Sequence, residues 1–246
     1  MKKETILQNE QGPQVVRVLL EFDLPLISYP DTGVWCYIIK TGDNTVSIFD
    51  AGPKFKSLLP FRRKYSGETN NTDKIINTLD DFFPGYKVDQ ILCSHYHYDH
   101  AENAPDLQNR LLELHGNLAP IRLHANDLEN KKAFKFMKTH VEDLFRHAEY
   151  DKWHLGDSVE DNENLGNSDF VIVHTPGHTS GAISLVNNIE KIAITGWWIE
   201  EQSSPFVKVF QSTVVDEDTK NFAATIKKIK RDDYKYYFLH PQVDKY

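Results

Sequence analysis

Short apolar runs rich in β-branched residues recur along the whole chain, and segments with helical periodicity separate them. Strands that alternate with helices are typical of α/β folds. No Pro/Ser-rich linker or low-complexity tract interrupts the pattern, which therefore predicts a single α/β domain over residues 1–246. The candidate strands are residues 15–22, 34–40, 45–50, 88–94, 121–124, 170–174, 182–187, 191–195 and 236–239.

The helices are predicted from apolar residues spaced three and four apart. The first is expected to start at Thr72, which is placed to cap it, and to stop at Pro84 and Gly85. Further helices are predicted over residues 107–114, from residue 126 to about residue 148, and over residues 218–231.

Charge and hydropathy exclude several function classes. The formal net charge is −8, and the basic runs are short, which argues against a nucleic-acid partner. No stretch approaches the roughly 20 consecutive apolar residues of a membrane span, and no apolar run follows the two N-terminal lysines. We therefore expect no membrane association and a cytoplasmic location. Cys36 and Cys93 each lie in an apolar run and are predicted to be buried thiols.

Residues 94–100, Ser-His-Tyr-His-Tyr-Asp-His, place three imidazoles and a carboxylate after the strand predicted to end at Ser94. In an extended or tightly turned segment, His95 and His97 point to the same side, so that both can bind one ion. Neutral imidazole is the commonest protein ligand for zinc and similar divalent metals. Burying these groups without a partner would be costly, so the cluster predicts a metal site.

Two further histidines lie just beyond strand ends. His178 follows the turn made by Pro176 and Gly177, and His240 follows the last apolar strand. Sites of α/β proteins usually lie at such strand ends. Both are therefore candidates for the same site.

These motifs resemble those of the metallo-β-lactamase superfamily. H-x-H-x-D-H at residues 95–100, followed by P-G-H-T-x-G at residues 176–181, is similar to the family signature. The strand that ends at Asp50, the pair Thr195-Gly196 and His240 match other family motifs in order and approximate spacing. The resemblance covers about residues 33–240 and implies a four-layer αββα sandwich with a metal site at one edge.

The resemblance also implies roles for individual residues. His95, His97 and His178 correspond to the first metal site, and Asp99, His100 and His240 to the second. Asp50 would orient the metal-binding loop through hydrogen bonds, and Asp99 would also be the catalytic residue. His174 precedes the family ligand position and is not expected to be a ligand. The remaining histidines lack this context, and we interpret them as surface or packing residues: His115, His124, His140, His147 and His154.

One position departs from the family pattern. Many members have an Asp that bridges two metals where this chain has Trp197, and indole offers only a donor. The second ion is then held without a bridge, or the site holds one ion. Glu200 is a candidate substitute carboxylate, although an exposed turn residue is the simpler interpretation. Tyr96, Tyr98, Trp197 and Trp198 flank the ligands, either as packing residues or as an aromatic substrate wall.

The resulting functional hypothesis is a metal-dependent hydrolase in which a metal-bound hydroxide attacks a small carbonyl substrate, namely an ester, lactone, thioester or amide. The expected cofactor is zinc, as one or two ions, with iron or manganese as alternatives. The alternatives in function are a redox enzyme similar to the sulfur dioxygenases and a metal-binding protein without catalysis. The sequence leaves the oligomeric state and the physiological substrate open.

Overall fold

The computed structural model contains two β-sheets, and it describes residues 1–23, 33–56, 65–129, 153–195, 224–225 and 227–240. The first sheet has six strands in the order β1-β2-β3-β4-β5-β6, and the second has five in the order β11-β10-β9-β8-β7. The strands of the first sheet are β1 (Lys3–Asn9), β2 (Gly12–Glu21), β3 (Gly33–Gly42), β4 (Thr45–Phe49), β5 (Lys87–Leu92) and β6 (Ile121–Arg122). Those of the second are β7 (Glu163–Asn164), β8 (Phe170–His174), β9 (Ile183–Asn187), β10 (Ile192–Thr195) and β11 (Lys235–Phe238).

Both sheets are mixed. Strands β1 to β4 pair antiparallel, whereas β4, β5 and β6 pair in parallel. In the second sheet, β10 and β11 are parallel and the other neighbours are antiparallel. Parallel neighbours need a crossover connection, and helix α1 (Asn71–Phe82) lies between β4 and β5 in the chain. The other helices with bounds in the described residues are α2 (Tyr98–Ala101), α3 (Ala104–His115) and α4 (Ala125–Glu129).

Alternating side chains of β3 divide the core into two layers. Cys36 and Ile38 belong to a cluster that includes apolar residues of α1 and α3, so these helices cover one face of the first sheet. Trp35, Tyr37 and Ile39 point the other way, into a cluster shared with the second sheet. A third cluster joins residues of β8, β9 and β10 to residue 229 on the outer face of the second sheet. The fold is therefore the αββα sandwich, which confirms the expected fold class.

The two sheets meet at the edge where β4, β5 and β8 end. The Asp50 amide donates a hydrogen bond to the Leu92 carbonyl oxygen (2.9 Å), which aligns the ends of β4 and β5. The Ile183 amide donates to the Ser94 carbonyl oxygen (2.9 Å), which joins the second sheet to the loop after β5. Hydrogen bonds within and between the two sheets therefore fix the strand ends from which the expected site residues follow.

Several elements of the structure differ in detail from the predictions. Strand β8 has the predicted bounds, but β1 and β7 were not predicted. The prediction that Thr72 caps the first helix was wrong: the N-cap position is Asn70, and the Thr72 hydroxyl donates to Asn103 Oδ1 (3.0 Å). Of the helix predicted from residue 126, only α4 lies within the described residues. Half of the helix predicted over residues 218–231 lies outside them.

Both cysteines are buried free thiols, as predicted. Burial raises their pKa values well above the usual range for a thiol. Among the helices in the described ranges, none combines the length and the apolar character needed to cross a membrane.

Candidate metal centre

The loop after β5 carries four of the six expected ligands. Residues 94–96 form a bend, and His97 is the N-cap of α2 with an extended backbone (φ −60°, ψ 145°). The amides of His100 and Ala101 donate to the His97 carbonyl oxygen at 3.0 and 2.9 Å. This tight turn directs His95 and His97 to one side, with ring centroids 4.7 Å apart, and places Asp99 and His100 in the first turn of the helix.

His95, His97 and His178, which we call the first triad, present ligand atoms that all lie within 4.8 Å of one another. His178 Nε2 lies 3.1 Å from His95 Nε2, and the His97 and His178 ring centroids are 4.5 Å apart. Two nitrogen ligands of a tetrahedral zinc, each about 2.0–2.1 Å from the ion, are about 3.3 Å apart. The donor spacing therefore fits a divalent ion.

Asp99, His100 and His240 form a second group with the same property, which we call the second triad. His100 Nε2 lies 3.2 Å from His240 Nε2 and 3.6 Å from Asp99 Oδ2, and His240 Nε2 lies 3.9 Å from the same oxygen. The rings of His95 and His100 have centroids 4.2 Å apart, so the two triads are neighbours. Together they bring all six predicted ligands to one edge of the sandwich.

Asp50 orients both triads. Its Oδ1 accepts from the Ser94 amide (2.6 Å), and its Oδ2 accepts from the Ser94 hydroxyl and from His100 Nδ1 (both 2.8 Å). Because the Ser94 proton points to Asp50, the Ser94 oxygen accepts from His95 Nδ1 at 2.8 Å. Both imidazoles then carry their proton on Nδ1, which leaves each Nε2 lone pair for a metal.

The backbone at Asp50 is shaped for this role. Its φ is +64°, in the left-handed region, where Asp is among the few tolerated side chains. The turn that results directs the amides of Ala51 and Gly52 at the His100 carbonyl oxygen, at 2.9 and 3.0 Å. Gly52 has a φ of +78°, also in the left-handed region, and a Cβ there would lie 2.5 Å from Leu20 Cδ1, so this position favours glycine.

The histidine pKa values favour the neutral, ligand form in most of the centre. Burial, followed by repulsion from neighbouring imidazoles, lowers the pKa values of His95 and His178 well below the usual range. Burial also lowers the pKa of His240, to about 4. His100 differs: burial lowers its pKa, but the attraction of Asp99 and Asp50 outweighs burial and raises it.

The other histidines lie outside both triads wherever the structure describes them. His174 Nε2 lies 2.8 Å from the Ser180 carbonyl oxygen, and its ring stacks on His124 with centroids 3.9 Å apart. His115 and His154 belong to neither triad. His140, His147, Trp197, Trp198 and Glu200 lie outside the described residues.

Tyr96 and Tyr98 are both buried, and Tyr96 belongs to the core cluster on the helical side of the first sheet. The structure therefore favours packing over substrate contact for these two tyrosines. Sequence reasoning missed Asp127, a buried carboxylate that contacts the loops on both sides of the first triad. The only sequence signal was indirect: the last glycine of P-G-H-T-x-G, Gly181, indicates a close approach by another residue.

A family model described as the metallo-beta-lactamase superfamily matches residues 29–239. The chain belongs to this superfamily. The match covers the strand ends that carry Asp50 and both triads except His240, which follows the last matched residue. Members of the superfamily bind divalent metals, in agreement with the donor sets described above.

Solved structures with the same fold include a metallo-beta-lactamase with a HARLDQ motif from Cronobacter sakazakii. It is 14% identical to this chain with a TM-score of 0.59, and the alignment covers 98% of this chain and 82% of that one. An N-acyl homoserine lactone hydrolase with the product N-hexanoyl-L-homoserine at its catalytic metal center is 20% identical with a TM-score of 0.53, covering 86% and 83%. The protein TTHA1623 in a di-iron-bound form is 16% identical with a TM-score of 0.51, covering 87% and 90%. No curated protein matches the sequence.

Proposed function

We propose that this protein is a metal-dependent hydrolase of a small carbonyl substrate: an ester, lactone, thioester or amide. The observation that carries the proposal is the assembly of two adjacent donor triads at one edge of the sandwich. Each triad has three donors, so each would leave coordination positions open for water or substrate, as catalytic metal sites do. We propose zinc as the native ion and an ion in each triad.

The first triad would hold an ion through three imidazoles, and the second through two imidazoles and the Asp99 carboxylate. His95 and His178 are buried, whereas His97, Asp99 and His240 are partly exposed. The accessible side of the centre is therefore formed by His97, Asp99 and His240. A substrate would approach from this side.

A divalent ion held there would lower the pKa of a bound water towards about 7, which supplies a nucleophile near neutral pH. Burial raises the pKa of Asp99, but the attraction of His100, His240 and His97 outweighs burial and lowers it. The Asp99 carboxylate is therefore ionised and would orient the attacking water through a hydrogen bond. Asp99 would accept the proton that the attacking water loses as it adds to the carbonyl carbon, and would pass this proton to the leaving group as the bond to that group breaks.

The substrate class rests on chemistry and on the likeness in fold. The net charge of −8 disfavours binding to a phosphate backbone, which favours a small molecule. A protein of the same fold binds the product of lactone hydrolysis at its metal center, so an acyl lactone is one suitable probe. Because one fold hosts many reactions, the panel must also include esters, thioesters and amides.

The test is metal analysis of the purified protein combined with assays on this panel. The informative variant is His178→Asn, which removes a first-triad donor. Its matched control is His174→Asn, at the end of β8, which lies outside both triads. We expect bound zinc, measurable hydrolysis, a loss of more than about 100-fold in His178→Asn, and most of the activity retained in His174→Asn.

Other outcomes would contradict the proposal. Stable metal binding without turnover on any substrate would indicate a binding protein. Iron together with substrate-dependent oxygen uptake would indicate a redox enzyme. Equal rates in the two histidine variants would show that the observed hydrolysis does not take place at this centre.

A further inference from the structure

We propose that Asp127 is a positioning residue that holds the two loops of the first triad at the separation needed to bind a metal ion. The inference rests on the proposed function, because it assigns a role at the same centre. His95 and His97 lie on the loop after β5, and His178 lies on the loop between β8 and β9. Asp127 belongs to neither loop: it is part of α4.

The Asp127 carboxylate contacts both loops through different oxygens. Oδ2 accepts from the Tyr96 amide at 3.1 Å, and Tyr96 is the residue between His95 and His97. The same oxygen accepts from the Thr179 hydroxyl at 3.0 Å, while Oδ1 accepts from the Gly181 amide at 2.6 Å. One side chain therefore joins the backbone beside two ligands to the residue next to the third.

Gly181 is shaped around this contact. A Cβ at residue 181 would lie 2.5 Å from both the Asp127 amide nitrogen and its Oδ1, closer than real side chains approach. The loop can therefore reach Asp127 only if residue 181 is glycine. This accounts for the last glycine of the P-G-H-T-x-G segment, whose φ lies outside the left-handed region.

The burial and the hydrogen-bond donors of Asp127 indicate more than a general packing role. Its exposed fraction is 1%, and a buried carboxylate is costly unless several donors satisfy it. The three donors named above come from the two ligand loops, so the free energy of these hydrogen bonds depends on the distance between the loops. A change in that distance would alter the gap between His178 and His95, whose Nε2 atoms are now 3.1 Å apart.

Asp127 and Asp50 differ in which triad they support. Asp50 bonds His100 directly and reaches His95 through Ser94, so it supports both triads. The bonds of Asp127 described above join Tyr96, which lies between two first-triad ligands, to Thr179 and Gly181 in the loop that carries the third. Loss of Asp127 should therefore weaken the first triad and spare the second, which general destabilisation of the fold would not do.

The experiment measures the Co²⁺ affinity of each triad by competition with a chromophoric chelator, together with the visible spectrum of the bound cobalt. His240→Asn disables the second triad, so that titration of this background reports on the first; His178→Asn serves the reverse purpose. Asp127→Asn keeps the shape but turns one acceptor into a donor. We expect it to weaken Co²⁺ binding by the first triad about 10- to 100-fold and to alter the spectrum, with binding by the second triad unchanged.

Two further variants keep the test decisive if Asp127→Asn fails to fold. Thr179→Val removes one of the three donors without changing the volume greatly, and should weaken Co²⁺ binding by the first triad. Thr179→Ser keeps the hydroxyl and should retain the Co²⁺ affinity and the spectrum of the wild type. The matched structural control is Asp89→Asn. Asp89 accepts from the Thr41 and Ser47 hydroxyls at 2.5 and 2.6 Å, away from both ligand loops, so this change should leave Co²⁺ affinity unaltered.

Unchanged affinity and spectrum in folded Asp127→Asn and in Thr179→Val would overturn the inference while leaving the proposed function intact. Equal weakening of both triads would also overturn it, because the effect would then be general. A wild-type protein that binds no metal at either triad would overturn the inference and the proposed function together.

Discussion

Replacing Asp50 by Asn should damage the metal centre without disturbing the turn that carries it. Asp50 is buried and has a φ of +64°, a conformation that Asn also tolerates. The backbone that presents the amides of residues 51 and 52 to the His100 carbonyl oxygen should therefore survive. What changes is one oxygen, which becomes an NH₂ group.

Neither orientation of the new amide satisfies its neighbours. If the amide oxygen takes the place of Oδ2, the NH₂ group takes the place of Oδ1, which lies 2.6 Å from the Ser94 amide in the wild type. Two donors would then face each other. If the NH₂ group takes the place of Oδ2, it faces His100 Nδ1 and favours the tautomer with the proton on Nε2, which blocks the metal-binding lone pair. Each arrangement leaves a buried donor without an acceptor, at a cost of about 1–3 kcal/mol.

Loss of a hydrogen-bond partner of a metal ligand typically lowers metal affinity or activity about 10- to 100-fold, or about 1.4–2.8 kcal/mol. The two estimates agree, so we expect Asp50→Asn to weaken Co²⁺ binding and hydrolysis by this factor. Competition titration and steady-state kinetics measure the two effects, and thermal unfolding in a chelator checks that the metal-free fold is retained. Wild-type affinity and rate in a folded Asp50→Asn protein would refute the assigned role.

Three other changes test the site and the fold. Burial, followed by repulsion from His174, lowers the pKa of folded-state His124 below 6.5. The contribution of His124 to stability is therefore present above pH 6.5 and is lost as the pH falls through the lower folded-state pKa. In His124→Phe, the free energy of unfolding should depend less on pH in this range, and an unchanged pH profile would contradict this. Leu185→Ala opens a cavity between the sheets and should cost about 2–5 kcal/mol in denaturant unfolding, whereas Leu112→Ala, at a side chain 41% exposed, should cost little. Metal removal by a chelator should lower the melting temperature, because a ligand present at about 100 times its Kd adds about 2.7 kcal/mol; identical melting curves with and without chelator would show that metal does not bind the folded state selectively.

The parts of the fold that the sequence predicted are those with strong hydrophobic patterns. Residues 170–174 form a buried strand that ends before a Pro-Gly turn, and both signals agree on its bounds. Strand β1 lies at the edge of its sheet, and its residues are half-buried or exposed. Because an edge strand with few buried residues lacks a strong apolar pattern, periodicity could not find it.

The candidate ligands could be predicted because metal chemistry restricts the residue types and the spacing. Asp127 could not, since it lies in a polar segment where a carboxylate suggests only a solvated helix start. Its role depends on distances to Tyr96 and Gly181, which lie 31 and 54 residues away in the chain. Such a contact exists only once the two sheets have packed, so the sequence signals it only indirectly, through the glycine at position 181, and does not say which residue approaches.

The location of the centre explains why so many hydrogen bonds support it. The first triad takes two imidazoles from a loop of the first sheet and one from a loop of the second, so the gap between the sheets sets the ligand spacing. Apolar packing alone is non-directional and fixes such a gap only loosely. Hydrogen bonds are directional and short-ranged, and the bonds from Ile183 to Ser94 and from both loops to Asp127 fix the gap where the ligands lie. We therefore expect metal affinity at this centre to depend on how the sheets are joined at this edge as much as on the ligands themselves.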